Sequence, residues 1–270
     1  MPPDKTTPVE ITRVTGEARE AAADVIAIEE PLEIRAAWVV DGEPREKNIS
    51  VTMRTPGDDF DLALGFLFTE GVVRNAEDVE SVRHWGSPNQ VRVALRPHAR
   101  VDVSKLERHF YTTSSCGVCG KTSIDALATL AVPLPAHEPF EASVVRELPR
   151  VLLDAQTAFH ATGGVHGAAL FDRTGALLRL REDVGRHNAV DKVIGSYVIE
   201  GTLPPSDTIL AVSSRGSFEI VQKAIVAGIP AVAFIGGPSS LAVALARRFN
   251  VTLIGFLRDE RFNVYSGAVR

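Results

Sequence analysis

The chain is 270 residues long, 45% hydrophobic and 23% charged, a composition that suits a globular protein with a core large enough to need no covalent staples. Its 29 basic and 34 acidic side chains leave a formal charge of −5, which argues against a nucleic-acid binder that works through a broad basic surface. Two cysteines are too few for a disulfide framework, and the polar first twenty residues lack the apolar run of a secretory signal, so a reducing cytoplasm is the expected compartment.

In chain order, residues 1–24 are expected to be a flexible arm. Residues 32–40 and 48–54 read as two strands joined by the turn Asp41-Gly42-Glu43-Pro44. Asp58 or Asp59 can cap a helix that carries Phe60, Leu64, Leu67 and Phe68 and stops at Gly71. Residues 79–85 and 90–96 read as a second hairpin about Gly86-Ser87-Pro88-Asn89. The proline-rich stretch 133–139 marks a boundary between a smaller mixed antiparallel α+β domain, 25–135, and a second domain, 136–270.

The second domain opens with one helix over 141–159 and a hairpin of 167–172 with 176–181. A helix over 184–197 follows, then strand 208–213, helix 218–227, strand 231–235, helix 240–249 and strand 251–257. Five elements in β-α-β-α-β order with short connections require right-handed crossovers and parallel strands, and the whole order is that of a three-layer α/β sandwich. Residues 224–246 carry no charge and have the length of a membrane span, but Gly228 and Pro230, then Gly236, Gly237 and Pro238, break them twice. They read as a buried strand between helix ends, and no membrane association is expected.

Five segments carry candidate chemistry. Both cysteines lie in Ser114-Ser115-Cys116-Gly117-Val118-Cys119-Gly120-Lys121, before a stretch of helical character. A glycine-rich loop at a helix N-terminus beside a lysine favours the thiolate. Inert packing and a zinc site completed by distant histidines such as His109 or His137 are the competing readings; redox or sulfur-transfer chemistry fits the loop best. Ser213-Ser214-Arg215-Gly216-Ser217 and Gly236-Gly237-Pro238-Ser239-Ser240 each follow a buried strand and lead into a helix. Such loops serve either as helix caps or as anion sites for a nucleotide phosphate, the latter with Arg215. The run 181–192, dense in ionisable side chains, is either site lining or a solvated face, and His166 after Gly163-Gly164-Val165 is equally ambiguous.

The segments FYTTSSCGVCGK, GGVHGAALFD, REDVGRHNAVDKVIG, SSRGSFEIVQKA, AGIPAVAF and GFLRDERFNVYS together resemble the formate dehydrogenase accessory sulfurtransferase family, FdhD/NarQ, over roughly residues 32–266. The resemblance implies a sulfurtransferase that takes sulfur from a cysteine desulfurase as a cysteine persulfide. It would pass the sulfur to the molybdenum (or tungsten) bis-guanine-dinucleotide cofactor before insertion into apo formate dehydrogenase. On this resemblance Cys116 carries the persulfide, Cys119 assists, and Phe256, Leu257, Arg258, Asp259, Glu260 and Arg261 bind the cofactor as a transient ligand. Ser214, Arg215, Gly216 and Ser217 are expected to join them, no cofactor or metal is held permanently, and a homodimer is implied. The family's second domain is similar to the cytidine-deaminase fold. The zinc signature of that fold is missing: Arg186-His187-Asn188 and Ser213-Ser214-Arg215-Gly216 stand where H-x-E and P-C-x-x-C would be.

Overall fold

A computed structural model of the chain describes residues 3–99, 131–258 and 260–270. Most of the expected flexible arm is instead regular: β1 (Thr6–Thr15) and β2 (Ala18–Ala27) pair antiparallel across a turn at Gly16, whose φ of 63° suits glycine. Neither strand has an apolar face, and an isolated hairpin is marginal in water. This one is tied from outside by Lys5 on Asp58 at 3.1 Å, and its own ladder runs one rung further, with the Ile28 N–H on the Lys5 carbonyl at 2.9 Å.

The next four strands, β3 (Glu30–Val40), β4 (Glu43–Arg54), β5 (Val79–Trp85) and β6 (Ser87–Leu95), form a sheet of order β4-β3-β6-β5. β3 and β6 run parallel and the outer pairs antiparallel. Asp41 and Gly42, both at positive φ, make the two-residue turn that matches strand twist. Helix α1 (Asp59–Thr69) supplies Leu62, Leu64 and Leu67 to the core beside the sheet's Leu32, Ile34 and Val93.

The second sheet has six strands in the order β12-β11-β10-β9-β7-β8. β9 (Ile209–Val212), β10 (Ala231–Phe234) and β11 (Thr252–Gly255) are parallel, as the alternating pattern requires. β7 (His166–Phe171), β8 (Leu177–Asp183) and a final short strand, β12 (Asn263–Ser266), are antiparallel additions, the last without a counterpart in the sequence reading. Strand alternation sends Leu170, Leu210, Val212, Val232 and Phe234 into one buried cluster, with residues of α4 (Arg186–Ile199), α5 (Phe218–Val226) and α6 (Ser240–Arg248). The opposite face sends Ala169, Phe171, Ile209, Ala211 and Ala233 against Val145, Leu148 and Leu152 of α2 (Ala142–Ala155). The protein is therefore a mixed α/β fold with helices on both faces of this sheet. Residues 224–246 contain β10 between α5 and α6, and among the described residues no helix is long and apolar enough to cross a membrane.

One expected helix is two. After α2 the chain breaks at Gln156 and restarts as α3 (Thr157–Thr162), because the Glu182 carboxylate, reaching in from β8, accepts the Ala158 and Phe159 N–H groups at 2.9 and 2.8 Å. The break has a distant cause, so the continuous apolar spacing gives no sign of it.

The boundary near 135 separates two sheets but not two cores, since Ile34, Leu67 and Val93 share one buried cluster with Val190, Ile194 and Leu210. α1 and α4 touch backbone to backbone: a Cβ at Gly65 would overlap the Asp191 carbonyl, and one at Gly195 would overlap the Asp61 carbonyl. Around that crossing runs a buried polar seam built largely from residues 181–192, which is neither cleft lining nor solvated face. Asp183 and Lys192, both fully buried, pair at 2.7 Å, and Asp183 also accepts the Thr55 N–H at 3.2 Å. Asp191 accepts from Lys223 at 2.9 Å and from the Thr69 hydroxyl at 2.9 Å. Burial opposes the charge on Lys223, but Asp191 and Glu219 outweigh it and hold the ammonium above its ordinary range. Arg181 reaches Asp61 at 2.7 Å, and Asn188 donates to the Met53 carbonyl at 2.8 Å.

Candidate functional site

The parallel strands β9, β10 and β11 end side by side, and the loops that follow them continue the ladder. The Gly236 N–H donates to Ser214 O at 3.0 Å, Gly216 N–H to Gly237 O at 3.1 Å, and Phe256 N–H to Gly236 O at 3.1 Å. Glycine is needed at Gly237, where a Cβ would fall 2.7 Å from the Phe256 ring. The loops at 213–217, 235–240 and 256–261 are thus one connected platform beyond the carboxyl ends of a parallel sheet, where α/β folds place ligands.

An open cleft of about 920 Å³ lies at this edge. Leu257, Arg258, Glu260, Arg261, Ile235 and Ser213 line it from the strand ends. The facing wall comes from Leu152, Leu153, Gln156 and Phe159 at the α2–α3 break and from Gly163, Gly164, Val165 and His166 ahead of β7. Arg258 is fixed at the rim, its Nη1 donating to the carbonyls of Ile235 and Leu257 at 2.7 and 2.9 Å. The Arg258 N–H closes a turn onto the Arg261 carbonyl at 2.9 Å. One wall therefore carries cations and a carboxylate, the other apolar side chains with one amide and one imidazole.

The expected site residues divide. Leu257, Arg258, Glu260 and Arg261 meet in the cleft, whereas Phe256 turns outward at a φ of 51° and covers Gly237. Ser214, Arg215, Gly216 and Ser217 lie beside the cleft and do not line it. Ser214 is buried with its hydroxyl on the Arg215 carbonyl, and Arg215 is exposed. Ser217 and Ser239 cap α5 and α6, accepting the Ile220 N–H at 3.5 Å and the Ala242 N–H at 3.2 Å. Cys116, Cys119 and Asp259 fall outside the described residues, and so does His109 of the zinc alternative. Among the described residues no three His, Cys, Asp or Glu side chains come together in a way that would hold a metal ion.

Next to the cleft, the two histidines flagged in the sequence face one cation. His166 lines the cleft with Nδ1 3.5 Å from the Ser213 hydroxyl; burial, then Arg186, hold it below its ordinary range, and Asp183 pulls the other way. His187 takes a 3.4 Å contact from Arg186 Nε and stands 3.2 Å from the Ser217 hydroxyl, both on Nε2. Burial, then Lys223, Arg186 and His166, push it down to about 3. His187 is therefore neutral at pH 7, and His166 is shifted in the same direction. Gln156 had no sequence signal at all: it belongs to the cleft only because Glu182 breaks the helix beside it.

Comparison with known proteins agrees with this architecture. Residues 27–270 match the model of the FdhD/NarQ family. The sulfur carrier protein FdhD of Mycolicibacterium paratuberculosis is 44% identical, with 96% of each chain covered. That of Nocardia farcinica is 47% identical, with 96% of this chain and 92% of the relative covered. A crystal structure of a Desulfotalea psychrophila protein, designated a formate dehydrogenase accessory protein, superposes with a TM-score of 0.76 at 26% identity over 98% of both chains. With a family model spanning nearly its whole length and relatives of this similarity, the chain belongs to the FdhD/NarQ family.

Proposed function

We propose that this protein is a sulfur carrier in formate dehydrogenase maturation: it loads sulfur on Cys116 and delivers it to a molybdenum or tungsten bis-guanine-dinucleotide cofactor bound in the cleft. The observation that carries the reading is the cleft itself, in a chain of this family. Its two arginines, Arg258 and Arg261, suit phosphates, its apolar wall suits a planar ring system, and its location beyond parallel strand ends suits a nucleotide. Glu260 is an acceptor that a guanine N1–H and exocyclic amine would satisfy.

In the loading step the Cys116 thiolate attacks the outer sulfur of a desulfurase persulfide. The S–S bond breaks, the desulfurase cysteine leaves as thiolate, and Cys116 becomes the persulfide. Delivery as sulfide needs two electrons. Attack of the Cys119 thiolate on the inner sulfur supplies them: a Cys116–Cys119 disulfide forms and hydrosulfide leaves for the metal of the cargo. A thiol reductant then reopens the pair. Cys119 thus belongs to delivery rather than loading.

The test is intact mass after incubation with a cysteine desulfurase and cysteine. The wild type should gain one reductant-sensitive sulfur, Cys116→Ala should gain none, and Cys119→Ala should load but release little sulfide. Equal loss from both substitutions, with ready reduction of insulin by the wild type, would identify a dithiol–disulfide oxidoreductase instead.

A further inference from the structure

We infer that Gln156 reads the base of the bound nucleotide, donating from Nε2 to a ring carbonyl such as the 6-oxo group of guanine; the inference rests on the cleft being the nucleotide site. Gln156 is 2% exposed, and Nε2 is a buried side-chain nitrogen with no hydrogen-bond partner. The other described nitrogens of that kind belong to Arg35, Trp38 and Arg179, none of which lines the cleft; Gln156 does. An amide donor left unpaired in a protein interior is costly, and a ligand acceptor at that point recovers the cost.

The chain on either side of the amide is also tied down. Gln156 sits between α2 and α3 at φ −80° and ψ 83°, its N–H on the Leu153 carbonyl and its own carbonyl accepting the His160 N–H, both at 3.0 Å. Glu182 accepts the Ala158 and Phe159 N–H groups just beyond it, which ties down the start of α3 beside Gln156. Across from it stands Gly167, where a Cβ would fall 2.5 to 2.9 Å from Cδ, Nε2 and Oε1 of Gln156. The glycine leaves room for the amide to lie against the β7 backbone. Around it are Leu152, Leu153, Phe159 and Val165, the apolar wall of the cleft, while Arg258 and Arg261 belong to the other wall. A ring against the apolar wall with phosphates toward the arginines therefore presents an edge to Gln156. A 6-oxo purine offers an acceptor there; adenine offers a 6-amino donor, which would leave Nε2 unpaired.

Calorimetry with GDP, IDP and ADP on the full chain tests this, using wild type, Gln156→Leu and Gln156→Glu. The wild type should bind GDP and IDP, both 6-oxo purines, about tenfold or more tighter than ADP. Gln156→Leu should lose about tenfold for GDP and IDP with little change for ADP, and Gln156→Glu should narrow or reverse the preference. Gln156→Leu should also melt no lower than the wild type, because it removes an unpaired donor, whereas a residue with a purely structural role would lose stability. GDP binding with a GDP-to-ADP ratio unchanged by either substitution overturns the role of Gln156 and leaves the cleft standing. Failure of the wild type to bind GDP overturns the nucleotide site itself, and this inference with it.

Discussion

Two clusters of charge, both legible in the sequence as charged motifs, end in opposite circumstances. The seam between α1 and α4 buries Asp183, Lys192, Asp191 and Lys223, each with an oppositely charged partner within 2.9 Å. The cleft leaves Arg258, Glu260 and Arg261 exposed, with Arg258 tied, among the described residues, to backbone carbonyls alone. Taking an ion out of water is costly unless a partner is in place, so the seam is satisfied and inert, while the cleft keeps its charges for something that arrives. Density of ionisable residues alone does not separate the two; burial and pairing do.

The largest effect that separates them is the loss of a seam partner. Asp183→Ala leaves Lys192 buried without its carboxylate and strips the Thr55 N–H and Asn188 of an acceptor. It should cost about 3–5 kcal/mol in urea unfolding, against near-neutral effects for alanine at Arg261 in the cleft. A loss below about 1 kcal/mol at Asp183 would mean that the seam does not weld the two sheets.

Arg258→Ala makes the converse test. It should weaken GDP binding by about 1–3 kcal/mol, the worth of a charge-assisted hydrogen bond to phosphate. Sulfur loading on Cys116 should be unchanged, because loading precedes binding of the cargo. Unchanged GDP affinity would take the arginine wall out of the proposed site.

The histidines beside the cleft give the comparison a pH signature. His187 has a folded pKa of about 3, below its ordinary 6.5, so the unfolded chain binds a proton that the native chain refuses. The sign follows from linkage: the contribution is present above pH 6.5 and is lost progressively as pH falls toward 3. Between pH 7 and pH 5 this amounts to about 1–2 kcal/mol, with His166 acting in the same direction. In His187→Gln, stability should fall less steeply over that range; an identical slope would mean that His187 is not held neutral by its surroundings.

How much of this was readable in advance depended on whether the cause was local. β9, β10 and β11 are short runs buried on both faces, so they stand out as continuous apolar stretches between helices. The same order places both strand-end loops and residues 256–261 in one crevice; the cleft gathers Leu257, Arg258, Glu260 and Arg261 but not Ser214, Arg215, Gly216 or Ser217. The β1–β2 hairpin is not readable, because its strands bury no residue fully on either face and its anchor is Asp58, some fifty residues away. Nor is the break at Gln156, which depends on Glu182 from another strand. The charged run 181–192 reads as site lining or solvated face and is instead largely a buried seam: its partners Thr55, Asp61 and Thr69 lie in the other half of the chain, and nothing in its own spacing points to them.

The smallest effects decide what the first strand-end loop is for. The serine-rich loops after β9 and β10 had two readings, helix cap or anion site, and Ser217 and Ser239 both accept from their own helices. The cap on α6 is the better formed, at 3.2 Å against 3.5 Å. Ser239→Ala should therefore cost about 1 kcal/mol of stability and Ser217→Ala somewhat less from the cap alone. Ser217 has a second contact, 3.2 Å from His187 Nε2, so its removal should also alter the pH dependence described above, which Ser239→Ala should leave intact. Neither residue lines the cleft, so GDP affinity should survive both changes. If Ser217→Ala weakens GDP binding as much as Arg258→Ala does, the loop reaches the ligand after all and the site extends across the platform. If only stability and its pH slope move, then the phosphates belong to the 256–261 loop, and the helix N-termini beside the cleft are capped rather than vacant.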